Sequence, residues 1–122
     1  MGEGHATVGL ANVFASLGHM EEAGQHYERA RAIFREIGNL RGEGMATGNL
    51  GIVLNRLGRM DDAREHHERA LAIAREIGDR QGEASSLVNL GPLWSSLGEM
   101  GRAREVLEAS LATCRMIGSR YK

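Results

Sequence analysis

Apolar side chains recur along this chain at steps of three and four. Ala46, Leu50, Val53 and Leu57 form one such stripe; Ala63, His67, Ala70, Ala74 and Ile77 form the next, with His67 its one polar member. That spacing lines one face of an α-helix and does not fit the alternation of a strand. The pattern itself repeats: residues 2–41, 42–81 and 82–121 superpose without a gap at a period of 40, leaving only Met1 and Lys122 outside the copies. Each copy predicts two helices. Gly18, Gly58 and Gly98 follow the first helix, and Gly38, Gly78 and Gly118 the second, where a left-handed residue ends a helix most easily. Asn39, Asp79 and Ser119 come next, at the place where a following helix needs a side-chain cap. Glu21 and Glu22, then Asp61 and Asp62, suit the positive end of the second helix, a help that Gly101 and Arg102 do not supply in the third copy.

Stops and starts this close together set tight turns, so consecutive helices are expected to pack antiparallel. The second helix carries small residues where helices must approach, Ala23, Ala63 and Ala103 in one column and Ala30, Ala70 and Ser110 in another. Between them Tyr27, His67 and Leu107, then Phe34, Ala74 and Cys114, are expected to fill the core, as is Trp94 in the column of Phe14 and Leu54. One helix pair cannot bury its apolar face alone, whereas stacked pairs bury it against each other. The expectation is an all-α solenoid of three antiparallel helix-turn-helix units, six helices in a single domain over residues 1–122. Pro92 falls inside the first helix of the third copy, where it removes a backbone donor and crowds the preceding turn. It predicts a kink or an early end there, and frees the carbonyl of Val88.

At these residues the chain resembles the tetratricopeptide repeats. The likeness lies in the pairs Leu10-Ala11, Leu50-Gly51 and Leu90-Gly91, in the turns Leu17-Gly18, Leu57-Gly58 and Leu97-Gly98, and in the alanine columns. The 40-residue period, with "GEGMATGNLG" and "ALAIAREIGDRQGEA", is most similar to the variant in kinesin light chains and in the Leu-Gly-Asn-repeat adaptors of spindle orientation. The resemblance implies a right-handed superhelix that binds a peptide or protein partner on the concave surface lined by the first helices. It places His5, Val8, Asn12, Ala15 and Ser16 in that groove, with Met45, Gly48, Ile52, Asn55 and Arg56 from the second copy and Ser85, Val88, Pro92, Ser95 and Ser96 from the third. An asparagine in the column of Asn12 would bond an extended peptide's backbone in both senses; Ile52 and Pro92 depart from it. The basic clamp some relatives use for a terminal carboxylate is not expected, because Val8 and Ser85 stand where it would be. The partner segment, extended or helical, is thus expected to be read by Asn12, Asn55 and Arg56, with Val8, Ile52 and Val88 as apolar contacts.

Composition narrows this further. In 122 residues, 15 Lys and Arg against 16 Asp and Glu give a formal charge of −1, leaving no basic surplus to hold nucleic acid or an anionic membrane. No stretch approaches the ~20 apolar residues of a membrane span, and "MGEGHATVG" has no signal-peptide pattern, so a cytoplasmic location is expected. The single Cys114 can form no internal disulfide and reads as core filler. No histidine pair has the i, i+4 spacing of a chelating face, and His67 reads as a partly buried, hydrogen-bonded residue rather than a metal ligand. "GEG" at 2–4 and 42–44 lacks the remaining glycines and the strand of a phosphate loop. No nucleophile, base and orienting acid converge by spacing. Neither an enzyme nor a cofactor is expected. An alternative reading is self-association: Val106, Leu107, Leu111 and Ile117 on the uncapped C-terminal helix would leave apolar surface for a homo-oligomer. A further alternative is the sensor portion of a larger regulatory protein.

Overall fold

The computed structural model describes residues 2–120, and the side chains of residues 2–118. Its elements are α1 (Glu3–Ser16), α2 (Met20–Glu36), α3 (Leu40–Arg56), α4 (Met60–Ile77), α5 (Arg80–Ser96) and α6 (Met100–Arg120). Helices pack chiefly on their neighbours in the chain: α1 with α2, α3 with α4 and α5 with α6 form the pairs, and α2 with α3 and α4 with α5 join the pairs into a stack. This is the helix-pair solenoid that the 40-residue period predicts.

The turns follow the local chemistry. At Gly58 the backbone adopts φ 81, and the amide of Arg59 donates back to the carbonyl of Leu54 at 2.9 Å, satisfying a helix end that would otherwise be open. Asn39 and Asp79 cap α3 and α5, each side chain accepting from the backbone N–H three residues on, Gly42 and Gly82, at 3.0 Å. Gly118 departs from the expected pattern. Helix α6 runs through it to Arg120, so neither Gly118 nor Ser119 marks a turn. Glycine permits a left-handed residue without compelling one; at Gly38 and Gly78 the turn is held by the cap and packing of the helix that follows.

Pro92 does not end α5 early. The helix spans 17 residues, as α3 does, and beyond the proline Leu93 and Trp94 are buried as Val53 and Leu54 are. Two features reduce the cost. The preceding residue is Gly91, which has no Cβ to meet the proline ring, and Pro92 itself is exposed.

The alanine columns are buried as expected, with Ser110 beside them. Phe34 lies between α1 and α3, so close to Gly4 and Gly42 that a Cβ on either would strike its ring. The "GEG" motif at 42–44 is therefore a packing motif: Gly42 admits the Phe34 ring and Gly44 the Ile73 side chain, and Glu43 between them is buried and ion-paired with Arg35 at 3.1 Å and Arg69 at 3.5 Å. Glu83 repeats the arrangement with Arg75 at 3.1 Å and Arg80 at 3.2 Å. Trp94 is buried, with the guanidinium groups of Arg64 and Arg102 5.2 and 4.9 Å from its ring centre. Leu107 and Cys114 correct the expected core, since both are exposed. Their counterparts Tyr27, His67, Phe34 and Ala74 are buried because the next pair covers them, and α6 has no following pair among the described residues. In this same set no helix is long and apolar enough to cross a membrane, and no group of three or more His, Cys, Asp or Glu is placed to hold a metal ion.

Candidate functional site

Column 8, 48, 88 on the first helices decides where the stack opens. In the first copy it holds Val8, which is buried in the core; in the second it holds Gly48, whose missing side chain leaves room. A cleft of about 530 Å³ results between α3 and α5, floored by α4. Met45, Gly48, Asn49 and Ile52 line it from α3, Ala70, Ile73 and Ala74 from below, and Ser85, Ser86 and Asn89 from α5. At one end Arg41 pairs with the capping residue Asp79 at 3.3 Å, so these charges largely cancel. Ile52 and Asn49 also line a smaller recess of about 100 Å³ toward α1 and α2, shared with Ala15, Tyr27 and Arg56. Arg56 is exposed and has no carboxylate partner among the described residues. The two hollows form one apolar track with a cation at its edge.

The structure brings Met45, Gly48, Ile52, Ser85 and Arg56 to this track, together with Ala15. Others expected in the groove are placed differently. Val8 is buried and presents nothing to a ligand. Asn12 is exposed, but its side-chain oxygen accepts a hydrogen bond from the Tyr27 hydroxyl, whose ionisation burial makes harder. His5 meets the Phe34 ring edge-on at 5.0 Å. Asn55, Val88, Pro92, Ser95 and Ser96 are exposed outside the cleft, and the Ser95 hydroxyl points to the Met100 sulfur at 3.6 Å.

Asn49 and Asn89 were not anticipated. They stand one period apart in the cleft wall, half-exposed, and neither side-chain amide has a hydrogen-bond partner among the described residues. Their signal is in the sequence: "NLG" recurs at 49–51 and 89–91. The leucine and glycine of that triplet read as packing residues, and the asparagine one step ahead of the leucine points about 100° away from it around the helix.

His67, beneath this wall, is 2% exposed, and its Nδ1 has no hydrogen-bond partner. The expected hydrogen-bonded, partly buried histidine is therefore fully buried and unpartnered at that nitrogen. Burial, assisted by the neighbouring His66, pushes its pKa down to about 4, keeping the ring neutral near pH 7.

Comparison with known proteins gives the same architecture. Over 94% of this chain and 48% of the other, the structure is similar to BtubC (BKLC) of P. vanneervenii, with TM-score 0.88 and 22% identity. The tetratricopeptide-repeat domain of Arabidopsis FLU matches with TM-score 0.87 and 19% identity over 93% of this chain and 96% of that domain. Aspartyl phosphate phosphatase F of Bacillus subtilis matches with TM-score 0.90 and 20% identity over 94% of this chain. The chain spans about half of BtubC and 30% of the phosphatase. At these identities the likeness is one of fold. Among curated proteins no sequence matches significantly. The tetratricopeptide-repeat family model matches residues 42–116. The fold is one that serves as a protein–protein interaction module, and the chain belongs to the tetratricopeptide-repeat family.

Proposed function

We propose that this chain is a non-catalytic interaction module that holds an extended segment of a partner protein along the track between α3 and α5. The observation that carries this reading is the pair of unpartnered carboxamides, Asn49 and Asn89, one period apart above an apolar floor. Each can accept from one backbone N–H and donate to one backbone C=O of a peptide laid between them. Met45 and Ile52 offer apolar contact, and Arg56 can donate to the carboxylate of an acidic side chain at the edge. Asn55, Val88 and Ser95, exposed outside the cleft, would be met only by a longer segment. Asn12 is a weaker candidate than its column suggested, because Tyr27 already occupies its oxygen.

The test is selection from a random-peptide display library, followed by titration of the enriched peptides. Replacing both asparagines, Asn49→Ala with Asn89→Ala, removes two or more hydrogen bonds of about 0.5–1.5 kcal/mol each, so affinity should fall by about tenfold or more. The control Gln25→Ala, which lines a separate hollow with Glu21 and Asp62, should bind as the parent does. Equal loss in both variants, or none in the first, would remove the track as the binding site.

A further inference from the structure

We propose that the two end faces of the solenoid bind one another between copies, the outer face of α6 receiving α1 of a second copy so that the stack continues head to tail.

The internal seams supply the template. Where α2 meets α3, Phe34 seats against Gly42 and Arg35 pairs with Glu43. Where α4 meets α5, Ala74 lies against Gly82, Arg75 pairs with Glu83, and Leu71 packs against the cluster of Leu90, Trp94 and Ala103. Both seams use the same columns, a fixed step apart. Advancing those columns by one more period of 40 puts Cys114 against Gly2 of a second copy, Arg115 against its Glu3, and Leu111 against its Leu10 and Phe14. The seam is thus already written on the two ends of one chain.

Three observations support this placement. First, the end faces are apolar and open where the same columns inside are closed: Leu10 and Val13 are 47% and 54% exposed, against 6% and 2% for Leu50 and Val53 and 1% and 2% for Leu90 and Leu93. Leu111, at 53%, is open on the other end, while its counterpart Leu71 packs into the seam. Second, the charges are complementary. α6 brings a guanidinium at Arg115 where α1 brings a carboxylate at Glu3, and neither has an ion-pair partner among the described residues. Third, Gly2, the N-cap just ahead of α1, has open space where a Cβ would stand and falls in the column where Gly42 and Gly82, inside α3 and α5, admit the preceding helix closely. A pairing of two α6 faces would use neither Glu3 nor Gly2.

Because the two faces differ, the contact is heterologous. Each copy added leaves one face of each kind open, so association yields a growing series rather than a closed dimer.

Sedimentation velocity on the 122-residue chain, from micromolar to millimolar concentration, is the experiment. The parent should show a mass that climbs with concentration without stopping at two copies. Leu10→Asp and Leu111→Asp, both at exposed positions, should each be monomeric alone, and their equimolar mixture should form a one-to-one complex that grows no further. Arg115→Glu should weaken association about tenfold or more, and adding Glu3→Arg to the same chain should restore it. A parent that stays monomeric throughout would overturn the proposal. So would a dimer that Leu10→Asp leaves intact, which would place α6 against α6, or a mixture of the two leucine variants that stays monomeric.

Discussion

The His67 ring, buried with Nδ1 unpartnered, is stable in place only while it is neutral. Its pKa of about 4 in the fold lies below the ordinary 6.5, so between these values the unfolded chain takes up a proton that the folded chain refuses. The contribution is fully present above about pH 6.5 and is lost progressively as pH falls toward about 4. At about 1.4 kcal/mol per pH unit, the loss across that window reaches roughly 3 kcal/mol. Urea unfolding at a series of pH values should show this slope, and His67→Leu, the residue type of the third copy, should flatten it. A slope that persists in the variant would assign it to other groups. Glycines give a second residue-scale contrast. Gly9 is helical with open space where a Cβ would stand, so Gly9→Ala should stabilise by about 0.5–1 kcal/mol through helix propensity alone. Gly42 faces the Phe34 ring, which Gly4 blocks from the other side. Gly42→Ala should therefore destabilise by about 1–3 kcal/mol despite the same gain in propensity. Shifts of the same sign in the two urea midpoints would contradict this packing account.

For the elements, α5 poses the sharpest question, since a proline inside a helix costs about 3 kcal/mol in an ordinary interior. Here Gly91 and the exposure of Pro92 relieve the steric part, while the hydrogen bond to the Val88 carbonyl stays lost. Pro92→Ala should therefore stabilise by about 1–2 kcal/mol, raising the urea midpoint with an unchanged slope. A destabilised variant would mean that the proline is held by a contact that compensates for it. Much of the element plan was legible in advance. The glycine-then-cap signals at Gly38-Asn39 and Gly78-Asp79 place α3 and α5 correctly, because a cap is a local event three residues long. What was not legible depends on neighbours. The column of Phe34, Ala74 and Cys114 says which way a side chain points, and only the presence of a covering helix says whether it is buried. Val8, Gly48 and Val88 show the same limit in the groove: one column gives a filled core, an open cleft and an exposed side chain outside it, according to side-chain size and which helix lies alongside. Asn12 failed as a free amide because Tyr27, fifteen residues on, reaches it across the helix pair.

At the scale of the whole molecule, stability in such a stack is close to a sum of repeat terms and seam terms between neighbours. Helices α3 and α4 are flanked on both sides, by α2 and α5, while among the described residues α1 and α6 are each flanked on one side. Helix α6 is weaker still, with no acidic residue in its first turn and Gly101 as its second residue. Local opening should therefore cost least at the two ends and most in the middle. Native-state amide hydrogen exchange should show α3 and α4 protected most strongly and α1 and α6 least, about tenfold in exchange rate for every 1.4 kcal/mol of missing seam energy. Uniform protection over all six helices would instead mean that the stack opens only as a single unit. The same measurement separates an isolated stack from a continued one. If a second copy supplies the missing seam, raising protein concentration should slow exchange in α1 and α6 together and leave α3 and α4 unchanged. Protection gained in α6 alone would point to a contact between two C-terminal faces, because only head-to-tail continuation covers both ends with one interface.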